Sequence, residues 1–181
     1  MGILSIKENS EPNINTDGRE QFEWKSEYPD SIRKEMKCEV CYILCLFLLS
    51  FLLIILNSLG IITTLLRLTG NQRYHARYII FFTASGLLGG IVFGMKYFYR
   101  VVARGYWTQD RRYWRILSPF VSMSVAFIVG TMVSAGILTT RDNSTNMWAI
   151  AFGFFAGYFA DEAVGKMYEI ATLLFGKSKK D

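Results

Sequence analysis

The fold of this chain is decided by Met147–Lys177, with the sequence MWAIAFGFFAGYFADEAVGKMYEIATLLFGK. The chain carries no charge from Asn143 through Ala160, then becomes acidic and amphipathic with no proline to end the helix. Four small residues and one carboxylate recur at every fourth position: Ala149, Gly153, Gly157, Asp161 and Gly165. This pattern predicts a helix that packs closely against neighbours in a membrane and emerges into water at Asp161.

Four long uncharged runs account for most of the apolar residues. They are Val40–Leu66, Tyr78–Met95, Ile116–Thr140 and Asn143–Ala160, with 27, 18, 25 and 18 residues. A hydrocarbon core of about 30 Å needs about 20 helical residues to cross. In a water-soluble protein all four helices would have to be buried on every side. We therefore predict an all-α integral membrane four-helix bundle, with spans at about 40–66, 78–99, 118–140 and 146–164 and the last helix extending to about 176.

The two ends of the chain are polar. Residues 1–37 form a predicted cytoplasmic tail, disordered or partly helical, in which a helix could start around Pro29–Ser31 and lead into the first span. The tail is either a docking segment for a cytosolic partner or an ordinary tail that folds back on the loops. Residues 38–176 form the membrane domain, and residues 177–181 form a basic tail.

Lysine and arginine residues are distributed unevenly between the two sides of the predicted membrane. Six lie before residue 40, six in Lys96–Arg115 and four in the C-terminal segment, against three in Arg67–Arg77 and one at Arg141. One side therefore carries sixteen lysine and arginine residues and the other side carries four. This excess predicts that both termini lie on the cytoplasmic side of the inner, or plasma, membrane. An even number of spans also requires the two termini to share a side.

Small residues also recur at four-residue spacing in spans two and three. This spacing lets helix backbones approach closely where lipid gives no hydrophobic drive to associate. Asn57, the strongly polar residue deep in span one, is expected to bond another helix, and Ser118-Pro119 is expected to cap span three. The predicted packing positions are Gly86, Gly90, Gly94, Ser122, Ala126, Gly130, Ser134, Gly153 and Gly157.

Aromatic and basic residues alternate between spans two and three. Such a mixture can stack on nucleic acid, but between two spans it is typical of an interfacial belt that contacts anionic lipid, and no direct nucleic-acid binding is expected. The residues assigned to this belt are Arg100, Arg104, Trp107, Arg111, Arg112 and Trp114.

The sequence lacks the motifs of the common enzyme classes. It has neither a phosphate-binding Gly-Lys-Ser/Thr loop nor a His-Glu-x-x-His pair, and its single histidine, His75, falls on the side opposite the cytoplasm. Cys38, Cys41 and Cys45 share one helix face, where small apolar side chains are the expected role; a redox or zinc role shared between subunits stays open. We therefore predict no enzyme activity, no cofactor and no metal site.

Asp161 and Glu162 are the candidate mouth of a pore. If several copies ring an axis, the Ser/Thr/Gly face of span three could line a narrow path, and the two carboxylates would favour cations at its cytoplasmic end. The alternative for Asp161 is a solvated carboxylate or a partner for Lys96 or Arg100.

The segment AFGFFAGYFADEAVGKM and the plan of four short-looped spans with a polar cytoplasmic head resemble the small transmembrane effectors of bacterial anti-phage systems, retron-associated ones among them. The likeness is one of architecture across residues 38–176 and transfers no residue role. It implies a toxin-like protein, held silent by a partner complex, that disturbs the inner membrane during infection.

Two functions follow as hypotheses. The first is an oligomeric effector that permeabilises or depolarises the inner membrane under control of a cytosolic regulatory protein or ribonucleoprotein. The second is a non-catalytic membrane anchor or assembly subunit that recruits a cytosolic complex. A small carrier or lipid-binding protein is a further alternative.

Overall fold

A computed structural model describes residues 28–135 and 146–165 of the 181-residue chain. This part is helical, with turns and loops between the helices and no strand in either range. The helices are α1 (Asp30–Ser58), α2 (Ile61–Leu65), α3 (Gly70–Ala103), α4 (Arg112–Ser134) and α5 (Asn146–Tyr158). Residues 160–165 are helical again.

Three of these helices, α1, α3 and α4, are long and apolar enough to cross a membrane, with 29, 34 and 23 residues. The coarser prediction, an all-α chain with several potential spans, is therefore confirmed. α5 has 13 described residues, about 20 Å at 1.5 Å per residue. The predicted N-terminal tail, the end of the third span, the helix to about 176 and the basic tail lie outside the described residues, wholly or in part.

The helices alternate in direction around α3. α1 runs antiparallel to α3, since Asn57 contacts Arg77 while Met36 packs with Val101. α4 is also antiparallel to α3, since Ser122 faces Gly90 while Gly130 faces Phe82. α5 runs parallel to α3, since Trp148 contacts Phe82 and Tyr158 contacts Phe93 further along both helices. The starts of α1 and α4 and the ends of α3 and α5 therefore share one end of the bundle. We call it the basic end, because it carries residues 30–39 and 96–115, two segments that contain several lysines and arginines.

The first apolar run is not one helix, as predicted, but two. α1 ends at Ser58, and Gly60 takes the left-handed conformation, with φ of 76°. The Gly60 N–H donates to the Asn57 carbonyl at 3.0 Å, which closes the turn. Gly70, the first residue of α3, also has a positive φ, of 55°.

The prediction that Asn57 bonds another helix is confirmed. Its Nδ2 donates to the Arg77 carbonyl of α3 at 2.8 Å, and the side chain is fully buried. Such a bond is favoured in an apolar surrounding because an unpaired amide there carries a large desolvation cost.

The predicted cap of span three is wrong. α4 begins at Arg112, so Pro119 lies inside the helix and Ser118 is not its N-cap. A proline inside a helix removes one backbone hydrogen bond. In this turn the Tyr42 hydroxyl of α1 donates to the Ile116 carbonyl at 3.0 Å, which adds a bond between helices where the helical ladder is interrupted.

Glycine residues bring α5 into backbone contact with α3. A Cβ added at Gly157 would lie 2.6 Å from the Cα and the carbonyl carbon of Gly86. One added at Gly153 would lie 2.6 Å from the Phe82 carbonyl oxygen and 2.8 Å from its Cα. Because the obstructing atoms are backbone, a larger side chain at either position requires the helices to separate.

A matched pair of glycine substitutions tests this contact. We expect Gly157→Ala to destabilise the protein by about 1–3 kcal/mol through overpacking. Gly94→Ala, where nothing lies within 4 Å of the new Cβ, should be neutral or stabilising by roughly 0.5–1 kcal/mol. Thermal unfolding of both variants in detergent, followed by circular dichroism, measures the difference. Equal stability of the two variants would contradict the packing described here.

Candidate functional site

The predicted packing positions fall into one three-helix contact, with one exception. Gly86 and Gly90 of α3 face Ala126 and Ser122 of α4, while Gly130 of α4 faces Phe82. At the far end of α4, the Ser134 hydroxyl lies 3.2 Å from His75 Nδ1 of α3. The exception is Gly94, where an added Cβ would meet no atom within 4 Å. The four-residue spacing in the sequence does not predict how far along α3 its contact with α4 and α5 extends.

The face of α4 proposed to line a pore is turned inward. Ser122 is 4% exposed and packs against Gly90, and Ala126 is fully buried. Within the described residues this face contacts α3 of the same chain. Within one copy, the small-residue surfaces of α3, α4 and α5 are therefore occupied, except at Gly94.

A buried ion pair that the sequence analysis missed lies at the basic end. Glu39 of α1 and Arg115 of α4 are 2% and 3% exposed. The Arg115 Nε donates to Glu39 Oε1, and the Arg115 Nη2 lies 3.1 Å from Glu39 Oε2. This two-pronged contact is the geometry in which a guanidinium binds a carboxylate most strongly.

Trp107 and Thr108 complete this cluster. Trp107 Nε1 donates to Glu39 Oε2 at 3.1 Å, and the Arg115 guanidinium carbon lies 5.5 Å from the centre of the Trp107 ring. The Arg115 Nη2 also donates to the Thr108 carbonyl at 3.4 Å. The cluster therefore joins α1, the 104–111 loop and α4 at one point.

The assignment of Trp107 to an interfacial belt is wrong. Trp107 is 7% exposed and packs with Met36 and Val101. The cause is a turn at the end of α3: Gly105 has φ of 73°, and the Tyr106 N–H donates to the Val101 carbonyl at 3.0 Å. This turn reverses the chain and folds Trp107 over the start of α1.

The positions of Glu39 and Arg115 carried a signal in the sequence. Glu39 directly precedes the uncharged run Val40–Leu66, and Arg115 directly precedes Ile116–Thr140. Both helices start from the same end, so charges at equivalent boundaries come to lie side by side. The pairing itself, between residues 76 apart, depends on the tertiary fold.

The other belt residues stay near the surface. Arg100, Arg104, Arg111 and Trp114 are exposed, while Arg112 is partly buried, with its Nη1 3.7 Å from Glu35 Oε2. Arg100, Arg104 and Arg111 line a cleft of about 540 Å³ with Tyr97, Val101, Gly105, Tyr106 and Thr108. The cleft lies on the outer side of the turn that buries Trp107.

The proposed pore-mouth carboxylates, Asp161 and Glu162, are exposed at the basic end. Within the described ranges neither forms an ion pair. Lys96, suggested as a partner for Asp161, instead donates to the Tyr158 hydroxyl at 3.1 Å. The three cysteines Cys38, Cys41 and Cys45 are exposed free thiols on α1.

Comparison with models of protein families, with curated proteins and with solved structures gives no match. The geometry alone therefore defines the class: an all-α chain with three helices able to cross a membrane and one charged, structured end.

A double-substitution cycle tests the buried pair. Removing one partner leaves an unpaired buried charge, so Glu39→Ala and Arg115→Met should each destabilise the protein by about 3–5 kcal/mol. The double variant Glu39→Ala/Arg115→Met should be more stable than either single variant, because no charge is left buried alone.

Thermal unfolding in detergent measures these changes. The matched control is Glu35→Ala, which removes the partly exposed Glu35–Arg112 pair and should cost about 0–1 kcal/mol. Equal costs for Glu35→Ala and Glu39→Ala, or strictly additive effects in the double variant, would refute the assignment.

Proposed function

We propose that this chain is an integral membrane protein with four spans, and that its basic end faces the cytoplasm of a bacterial cell. The excess of lysine and arginine at this end supports the orientation. Residues 28 and 165, the outer limits of the described parts, both lie at this end. For the fourth span, the segment 146–165, which comprises α5, the turn at Phe159 and the helical residues 160–165, has 20 residues, about the length that crosses a bilayer.

The function that the geometry supports best is that of a non-catalytic membrane anchor or assembly subunit. The observation behind this proposal is the contact of α3, α4 and α5 through their small-residue faces within one chain. Within one copy α3, α4 and α5 already pack on one another, and the polar groups on the outer side of α4 are satisfied locally: Ser124 donates to the Phe120 carbonyl, and Thr131 donates to the Ile128 carbonyl. Among the described residues, the basic end presents exposed charged groups that a cytosolic partner could contact.

An effector that permeabilises the membrane is the second candidate, and α1 is the observation that favours it. α1 packs on α3 and leaves a large apolar surface exposed, including Leu44, Leu48 and Ile55. Beside it lies an apolar groove of about 330 Å³ lined by residues of α1, α3 and α4, among them Leu53, Leu87 and Phe127. Release of α1 at the Glu39–Arg115 cluster would expose this groove, and a cytosolic partner at the basic end could control that step.

Reporter fusions at the C-terminus test the number of spans. Four spans place residue 181 on the same side as residue 1, whereas three spans place the two ends on opposite sides. With four spans, we expect a C-terminal green fluorescent protein to fluoresce and a C-terminal alkaline phosphatase to be inactive. Fusions of the same two reporters at the N-terminus should give the same results. An active C-terminal phosphatase with a cytoplasmic N-terminus would reduce the count to three.

Induction of the full-length chain alone separates the two functions. An anchor should leave the membrane potential and growth unchanged, because its bundle is complete and closed. A potential-sensitive dye measures the outcome in cells, with Gly157→Leu as the control for a correctly packed bundle. Depolarisation by the native chain that Gly157→Leu abolishes would overturn the anchor in favour of the effector.

A further inference from the structure

The arginines at the basic end divide into two groups by their partners. Arg33, Arg112 and Arg115 each form an ion pair, with Asp30, Glu35 and Glu39. The other three form none with any carboxylate in residues 28–135 and 146–165. These three, Arg100, Arg104 and Arg111, are the arginines that line the cleft.

The cleft is built by the turn that ends α3. Arg100 lies in the last turn of α3 and Arg104 follows its last residue, four positions later, and like charges at this spacing repel each other. Gly105 then reverses the chain with its positive φ, and the following loop brings Arg111 to the opposite wall. The Arg111 Nη1 lies 3.4 Å from the Tyr97 hydroxyl, which orients that side chain. The fold therefore brings three positive charges together in a cleft whose lining residues include no acid to neutralise them.

The carbonyl groups in the last turn of α3 find hydrogen-bond donors other than these arginine side chains. The Gly105 N–H donates to the Val102 carbonyl at 3.2 Å, and the Tyr106 N–H donates to the Val101 carbonyl at 3.0 Å. The guanidinium groups are therefore not required to satisfy these carbonyls.

We propose that this cleft binds the phosphate group of an anionic ligand. Guanidinium groups bind phosphate through paired, charge-assisted hydrogen bonds, and Tyr97, Tyr106 and Thr108 add hydroxyl groups to the lining. A volume of about 540 Å³ is within the range of small-molecule sites. The inference does not depend on which function of the preceding section holds.

The same chemistry is offered by the headgroup of an anionic phospholipid or by a soluble phosphate compound. The surroundings fit a headgroup: a smaller hollow lined by Tyr97, Arg111 and Trp114 adjoins the cleft, and the Tyr97 and Trp114 rings pack edge to face at 5.1 Å. Tyrosine and tryptophan favour the depth of lipid headgroups. A soluble phosphate compound would bind the same arginines but would not need the Tyr97 and Trp114 rings beside them.

Binding measurements on the purified full-length chain in a neutral detergent test the proposal. The probes are a short-chain phosphatidylglycerol, phosphatidylcholine of the same chain length, and inorganic pyrophosphate. The variants are Arg100→Gln, Arg104→Gln and Arg111→Gln, each expected to lower affinity on the order of tenfold. The control is Arg33→Gln, which removes the same charge from the same end but lies outside the cleft and should leave affinity within about twofold of the native value.

Each outcome has a definite reading. Binding of phosphatidylglycerol over phosphatidylcholine, lost with the three cleft arginines, supports the site with a lipid as its source; arginine-dependent binding of pyrophosphate supports it with a soluble source. Binding of neither anion, or an equal loss with Arg33→Gln, would overturn the proposal. Unfolding curves recorded on the same samples identify any variant that does not fold. For such a variant the lysine substitution, which keeps the charge, replaces glutamine and should retain part of the affinity.

Discussion

The close approach of α3 and α5 is the constraint on which the rest of the structure depends. At Gly86 and Gly157 the two backbones touch with no side chain between them, and Gly153 repeats the contact one turn earlier. In lipid the helices gain little from hiding apolar surface, so that dispersion contacts between closely packed backbones have to hold them together. α4 then packs on Gly86 and Gly90 of α3, and this three-helix contact determines which faces stay exposed and which contact α1.

The charged groups are concentrated where the helices leave this packed region. Glu39 and Arg115 neutralise each other in a buried site, and Trp107 covers them. The pair fastens the start of α1 to α4 and holds the 104–111 loop against the bundle. On its outer side this loop, together with Arg100 of α3, carries the three arginines that pair with no carboxylate of residues 28–135 and 146–165. One turn at Gly105 thus produces both a stabilising cluster and a charged cleft, which makes the basic end a structured surface.

The sequence predicted those features that depend on local spacing. Long uncharged runs predicted the helices α1, α3 and α4, and small residues at every fourth position predicted most of the positions at which α3, α4 and α5 touch. It failed where the outcome depends on distant parts of the chain. The burial of Trp107 requires the turn at Gly105, and the helical position of Pro119 follows from the start of α4 at Arg112. Ser122 was among the predicted packing positions, but whether its face packs on a helix or lines a pore depends on which helix occupies the space beside it.

Spin labels at exposed apolar positions test the central claim that lipid, not water, surrounds the packed helices. Leu48 of α1 and Phe127 of α4 are 67% and 46% exposed, and both belong to uncharged runs. After reconstitution of the full-length chain into bilayers, labels at these positions should collide frequently with oxygen, which dissolves in lipid, and rarely with a water-soluble nickel chelate. Frequent collision with the nickel chelate at both positions would show that these faces contact water and would contradict the account.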